Sequence, residues 1–272
     1  MNPYYQDDAV TIYHGNSAET WPVPPGSVAC VVTSPPYNVG VQYDVHDDVI
    51  PWVHYQRLAH SVLYEAREAL IENGGRLWLN VTPVVPESPL PAGDHSGRGY
   101  APRVSLLELW SRKIMEADLG IWDYVSWPSP GRGGGCAWGS WQSPAGPNMR
   151  GEWETIIVGH RGTWGRETPA EFKGWQDGVG NWTPLTSNVW KIQPQQRDEH
   201  PAPFPEELAA RAIRLSTWPG EVVVDPFMGS GTTLAAAKAL GRKAVGIELS
   251  EWYCEIAARR LSQEALDFGG AA

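Results

Sequence analysis

Six residues, Thr33-Ser34-Pro35-Pro36-Tyr37-Asn38, gather two hydrogen-bond acceptors and an aromatic ring at one turn. Ser34 offers a hydroxyl. The Pro35 carbonyl is left open because Pro36 has no amide hydrogen to fold back on the loop. Tyr37 adds a flat face for stacking. Two acceptors beside a ring suit a planar substrate carrying an NH2 group. Such an amine is a weak nucleophile while its lone pair is delocalised into the ring, and acceptors on its hydrogens favour a more tetrahedral, nucleophilic nitrogen. Taken alone, the same residues read equally well as a proline-stiffened turn.

A second stretch, VVVDPFMGSGTTLAAAKALG from Val222 to Gly241, is an apolar strand, an acid, a glycine loop and a helix. Gly229 and Gly231 admit backbone conformations closed to other residues and let a ligand approach the main chain. The loop has no lysine where a triphosphate loop needs one, and Leu234 stands at the third glycine of a dinucleotide fingerprint. Glu248 ends the next strand, at roughly the twenty-residue spacing where an acid grips ribose hydroxyls in such folds. An adenosine-bearing ligand without phosphates fits these features. A sulfonium methyl donor beside the Ser34 turn would complete a site for methylating an amine.

Both stretches need strands whose carboxyl ends meet. Val28-Ala29-Cys30-Val31-Val32 reads as a buried parallel strand that the two prolines stop, and ligands of open α/β sheets bind at such ends. Residues 51–73 read as a helix with Leu58, Val62, Ala66 and Ala69 on one face and Asn73-Gly74-Gly75 as its stop. A strand over 76–81 precedes a proline- and glycine-rich mobile loop over 84–99. Helical spacing returns over 104–117. Residues 121–127 and 153–158 are strand-like, separated by an aperiodic stretch over 128–150, and a further irregular stretch runs to Ser187. Phe204-Pro205-Glu206-Glu207 opens a helix with Leu208, Ala212 and Leu215 on its buried face. A strand over 221–224, a helix over 232–240, a strand over 243–247 and a last helix capped by Ser250 complete the chain.

The bulk properties exclude some classes. With 272 residues, 42% hydrophobic and 19% charged, the chain can bury a large globular core. Cys30, Cys136 and Cys254 lack metal or disulfide spacing, which predicts a reducing cytoplasm. The acidic start at Asp7 and Asp8 predicts no signal peptide, and no apolar run reaches membrane length. A net charge of −10 argues against a broad basic face for phosphates, and the arginines and lysines from Arg98 to Lys173 are interspersed with acids. The histidines read as surface residues with no metal spacing. Trp138, Trp141, Trp164, Trp175 and Trp182 read as packing residues. Asp44, Asp47 and Asp48 read as solvated, with one of them within reach of a ligand ammonium.

Together the two stretches resemble the motifs of the amino-methylating DNA methyltransferases, the N4-cytosine/N6-adenine family that uses S-adenosylmethionine. Thr33 to Asn38 resembles that family's catalytic motif, Asp225 to Thr233 its cofactor motif, and Glu248 its ribose-binding acid. His200 to Pro205 and Asn188-Val189-Trp190 are similar to segments that precede the cofactor half. Catalytic motif first and cofactor motif last is the permuted, β-type order. The resemblance implies an α/β, Rossmann-like doubly wound fold with circularly permuted motifs. It implies a catalytic half at 1–81, an inserted irregular target-recognition region at 82–187 and a cofactor-binding half at 188–272. Catalytic roles fall on Ser34, Pro35, Pro36 and Tyr37. Cofactor contacts fall on Asn16, Thr33, Phe204, Asp225, Pro226, Phe227, Gly229, Ser230, Gly231, Thr232, Thr233, Glu248 and Leu249, with no metal. The implied partners are double-stranded DNA, a cognate restriction endonuclease and a second copy of the chain, with no membrane. The target base would be flipped out of the stack into the Ser34 pocket.

Serine before the prolines is the variant associated with cytosine N4, whereas aspartate goes with adenine N6, which stays as the alternative. His14-Gly15-Asn16 stands where the family commonly has Gly-Asp. The chain has no Pro-Cys pair for the thiolate attack of a 5-methylcytosine enzyme. Protein glutamine methyltransferases also resemble the chain in a PPY loop, but they place the cofactor motif first and usually carry asparagine before the prolines. A binding module without activity would not need both motifs intact.

Overall fold

The computed structural model describes residues 2–41, 44, 48–86, 103–129, 152–193 and 204–267. In chain order its elements are β1 (Tyr5–Gln6), β2 (Val10–His14), β3 (Val28–Thr33), α1 (Trp52–Ala69), β4 (Gly75–Val81), β5 (Val84–Pro86), β6 (Arg103–Ser105) and α2 (Leu106–Glu116). They continue as β7 (Gly120–Pro128), β8 (Trp153–Arg161), a 3-10 turn (Ala170–Phe172), α3 (Glu206–Arg214), β9 (Val222–Asp225), α4 (Thr232–Ala239), β10 (Lys243–Glu248) and α5 (Glu251–Asp267).

Eight strands form one sheet in the order β1-β2-β10-β9-β3-β4-β8-β7. The five from β2 to β4 are parallel, and β1, β8 and β7 run antiparallel to their neighbours. All six residues of β3 are buried, as a strand covered on both faces requires. From β3 the chain crosses through α1 to β4 on one side. From β9 it crosses through α4 to β10 on the other. β3 and β9 are parallel neighbours, with Val31 opposite Val224, so the crevice where the winding reverses opens between their carboxyl ends. One face of the sheet packs on α3, α4 and α5 through Leu208, Ile213, Leu234 and Ala257. The other packs on α1 and α2 through Tyr55, Leu63, Trp110 and Ile114. The α/β doubly wound expectation holds, and β9 and β10, late in the chain, are threaded between the early strands β2 and β3.

Several boundaries differ from the sequence reading. α1 ends at Ala69 rather than 73. Leu70 turns extended, the Ile71 amide bonds the Val28 carbonyl at 2.9 Å, and Arg161 Nη1 donates to the Leu70 carbonyl at 2.6 Å. Those contacts take up the carbonyl end that Asn73-Gly74 was expected to close. The expected loop over 84–99 begins instead with β5, which pairs antiparallel with β6. The stretch expected as an irregular insertion supplies β7 and β8 to the central sheet, with all of β4 paired to β8 from Thr155 to Arg161. Leu215 is only partly buried because α3 stops before it, and Ala209 and Ile213 take the buried face with Leu208 and Ala212. Trp164 stacks on Trp122 at 4.6 Å and lies under the Arg76 guanidinium, and Trp175 packs edge-on against Phe172. Trp138, Trp141, Cys136, Asp47, the loop from residue 87, the aperiodic stretch from residue 130 and the segment from His200 to residue 203 lie outside the described residues. No helix among the described residues is long and apolar enough to cross a membrane.

Candidate active site

Asp225 ends β9 at the crevice and is fully buried. Thr33, the last residue of β3, donates its hydroxyl to Asp225 Oδ1 at 2.8 Å. Thr233 in the first turn of α4 donates to Oδ2 at 2.6 Å, and the Phe227 amide to Oδ1 at 3.0 Å. Burial nevertheless dominates and pushes the Asp225 carboxyl up to about 6. Asp225 thus ties the strand, the loop, the helix and the neighbouring motif together.

The glycine loop wraps the end of β10. Gly229 and Gly231 take left-handed φ values of 50° and 82°, and Gly231 is the N-cap of α4. A Cβ at Gly231 would lie 3.0 Å from Ala257 Cβ, so the start of α4 sits close against α5. The Gly229 amide donates to Glu248 Oε2 at 3.0 Å and the Ser250 amide to Oε1 at 2.9 Å. Each carboxylate oxygen keeps a further lone pair for a hydroxyl donor. Burial raises the Glu248 carboxyl, and these amide bonds partly offset it. Pro226 and Ser230 are buried beside the loop, Phe227 is half-buried, and Thr232 receives Arg260 Nη1 at 3.3 Å. Leu249 is exposed next to Glu248. Phe204 packs against the α3–α4–α5 core. Asn16 lies two residues beyond His14, which pairs with Glu248, but its side chain accepts from the Ala18 amide in its own turn.

The Ser34 turn is held from three directions. Tyr55 of α1 donates to the Pro36 carbonyl at 2.7 Å, and Trp110 of α2 donates to the Tyr55 hydroxyl at 3.1 Å. Among the described residues no donor meets the Pro35 carbonyl. Asn38 has a left-handed φ of 58°, stabilised by exchanging hydrogen bonds with Ile50. Asp48 accepts the amides of Asn38, Val39 and Val41. The expectation that Asp48 is solvated is therefore wrong: it is buried and staples the loop. Asp44 is also engaged, accepting from Ser250 Oγ at 2.8 Å.

The remaining partners of the turn come from strands that carry no motif. Ser34 Oγ lies 3.1 Å from the Tyr37 hydroxyl and 3.3 Å from the Asn80 carbonyl on β4. The Tyr37 hydroxyl also meets Glu154 Oε2 of β8 at 3.1 Å. Asn80 Nδ2 donates to both Tyr37 and Glu154, and Trp127 of β7 donates to Asn80 Oδ1 at 2.8 Å. Sequence reasoning missed Asn80, Trp127 and Glu154. Asn80 carried a signal, a polar residue inside the apolar run LWLNV. Nothing in the sequence links Glu154 to Tyr37. Cys30 and Cys254 are pushed up to about 12 by burial, so neither supplies a thiolate at neutral pH.

The model of the DNA methylase family N6_N4_Mtase matches residues 28–259. The chain is 31% identical to the type II methyltransferase M.ScaI of Streptomyces caespitosus, over 97% of this chain and 84% of that protein. It is 28% identical to the DNA adenine methyltransferase YhdJ of Escherichia coli, over 94% of this chain and 84% of that one. Among solved structures it resembles TTHA0409 of Thermus thermophilus, a putative DNA modification methylase complexed with S-adenosylmethionine, with TM-score 0.71, 25% identity and 93% coverage of both chains. The cytosine-N4-specific PvuII methyltransferase shares the fold at TM-score 0.69 and 20% identity, over 95% of this chain and 88% of that one. A glycine loop and acid at the winding reversal, a Ser-Pro-Pro-Tyr turn beside them and these matches agree: the chain belongs to the N6/N4 DNA methylase family, enzymes that methylate DNA amines with S-adenosylmethionine.

Proposed function

We propose that the chain methylates cytosine at N4 in double-stranded DNA. The observation that carries this is Ser34, a neutral hydroxyl paired with the open Pro35 carbonyl where adenine enzymes tend to carry aspartate. These acceptors take the two amine hydrogens, Tyr37 supplies a stacking face, and Tyr55 fixes the backbone between them through the Pro36 carbonyl. An exocyclic amine inside a duplex is out of reach, so the base is flipped into this pocket. When bound, S-adenosylmethionine supplies an electrophilic methyl group. The residues present fit it: Glu248 has both oxygens oriented by backbone amides, and the left-handed glycines open the main chain beside it. Glu248 holds the ribose, while Phe227, Ser230 and the first turn of α4 line the approach. Region 82–187 reads the DNA target, with β7 and β8 as its framework. The similarity to type II methyltransferases supports a cognate restriction endonuclease as partner.

A second reading, adenine N6, is favoured by the 28% identity to an adenine methyltransferase. Glu154 also weakens the argument from a neutral Ser34, because it brings a carboxylate to the Tyr37 hydroxyl beside it. Mass spectrometry of nucleosides from DNA methylated by the chain decides. N4-methylcytosine is expected. N6-methyladenine as sole product makes the second reading correct, and 5-methylcytosine overturns the mechanism.

A further inference from the structure

The polar atoms behind the Ser34 turn form a chain with a direction. Trp127 Nε1 can only donate, so the Asn80 atom facing it at 2.8 Å is the carbonyl oxygen. The Asn80 amide hydrogens therefore face the other way, to Glu154 Oε2 at 2.5 Å and to the Tyr37 hydroxyl at 3.1 Å. Ser129 Oγ donates to the second carboxylate oxygen, Oε1, at 3.0 Å. As a carboxylate, Glu154 only accepts, and its charged Oε2 at 3.1 Å draws the Tyr37 proton in preference to the neutral Asn80 backbone carbonyl at 3.4 Å. The Tyr37 oxygen is left to accept from Ser34 at 3.1 Å, and the Asn80 backbone carbonyl at 3.3 Å is the other outlet for the Ser34 proton. By either route Ser34 spends its single proton inside the protein and keeps acceptor lone pairs for the pocket.

We propose that Glu154 is a positioning residue for methyl transfer: its carboxylate polarises the Tyr37–Ser34 hydroxyl pair so that Ser34 accepts from the target amine rather than donating to it. The inference rests on the reading of the Ser34 pocket as the base site. The need for polarity is chemical. A hydroxyl proton aimed into the pocket would meet an amine N–H head-on, whereas a lone pair draws that hydrogen away and frees electron density on nitrogen. Glutamine at 154 removes the charge: its oxygen, held toward Tyr37 by the Asn80 amide, draws the Tyr37 proton more weakly than a carboxylate does and leaves the hydroxyl pair free to turn a proton toward the pocket. Aspartate keeps the acceptor on a shorter arm.

The test measures methyl transfer to DNA by the full-length chain, together with calorimetric affinity for S-adenosylmethionine and the melting temperature, in Glu154→Gln, Glu154→Asp and Ser34→Ala. Glu154→Gln is expected to lower kcat by about 10- to 100-fold, the scale of a misplaced reacting group, with KM for DNA and cofactor affinity within about twofold. Glu154→Asp is expected to recover a substantial part of the lost kcat. Glu154→Gln at the wild-type kcat overturns the proposal. Equal losses in the Gln and Asp variants, or a Gln variant that loses cofactor affinity or melting temperature in parallel, assign Glu154 a packing role and also overturn it. Ser34→Ala at the wild-type kcat strikes the base-site reading itself, a result distinct from failure of the Glu154 inference alone.

Discussion

The cofactor side and the base side of the crevice are assembled by different means. On the cofactor side the polar contacts are short in sequence. Asp225 takes the Phe227 amide two residues on and the Thr233 hydroxyl eight residues on, and Glu248 takes the Ser250 amide two residues on. On the base side Tyr37 reaches Asn80 at a separation of 43 and Glu154 at 117, and Trp127 reaches Asn80 at 47. A strand, loop and helix can close the first kind of site as one local unit. The second exists only after the sheet has been ordered from β3 out to β7, and its closure entropy is met by the whole fold. Bonds that join the two sides run from Thr33 to Asp225 across the reversal of the winding and from Ser250 to Asp44 in the loop after Tyr37.

The sharpest way to break this comparison is through Asp225, the node of the local unit. Its carboxyl titrates at about 6 in the folded chain against an ordinary 3.8. The folded state therefore holds this proton more tightly than the unfolded state. The group's contribution to stability is fully present below 3.8 and is lost as pH rises through about 6. The two-unit difference corresponds to about 3 kcal/mol. Asp225→Asn removes the titration, so its stability relative to the parent is expected to rise by up to about 3 kcal/mol between pH 4 and pH 7 in urea melts. A flat difference across that range would mean that the buried carboxylate is compensated by its three donors, and that the unit is not held at a cost of burial.

Glu248 separates the sides by ligand. Glu248→Ala removes the acceptor oriented by Gly229 and Ser250, and cofactor binding is expected to weaken by about 1–3 kcal/mol. The Ser34–Tyr37–Asn80 contacts do not involve it, so kcat at saturating cofactor should change little. Calorimetry with S-adenosylmethionine and rates at saturation check the two halves of that statement. Unchanged affinity in a folded variant would remove Glu248 from the cofactor site.

The same contrast explains what could be read from the residues alone. The strand-acid-glycine-helix pattern from Val222 onward is local, and β9, α4 and β10 appear within a residue or two of where the spacing put them. The Ser-Pro-Pro-Tyr turn was legible because two prolines must end a strand. Its supports were not. Asp48 reads as solvated from the sequence because its partners, the amides following Tyr37, depend on how a loop folds back, whereas Asp44 is indeed exposed although it accepts from Ser250. β7 and β8 were recognisable as extended, yet nothing in their periodicity said that they join the central sheet antiparallel beyond β4. Glu154 follows from that registry, which places Thr155 opposite Val81 at the end of β4, one residue beyond Asn80.

Trp127 offers the finest separation of the two sides. Its indole N–H is the donor that fixes which way the Asn80 amide points, and among the described residues that N–H makes no hydrogen bond to Glu248 or the glycine loop. Trp127→Phe keeps an aromatic ring in the core but leaves Asn80 Oδ1 without that donor. The amide can then turn over and present oxygen to Glu154, which sets two acceptors against each other and loosens the Tyr37 hydroxyl. Losing one such hydrogen bond amounts to about 1 kcal/mol, or roughly a fivefold fall in kcat. The smaller ring also leaves a void, so some loss of melting temperature is expected in any case. The discriminating quantity is therefore the ratio of the two functional losses. If the base side is a separately assembled network, kcat falls about fivefold while cofactor affinity, measured on the folded variant, stays within error. A parallel loss of cofactor affinity would show that the sheet transmits the disturbance across β3 and β9 as one body, and the division between a local and a topologically assembled half would not hold.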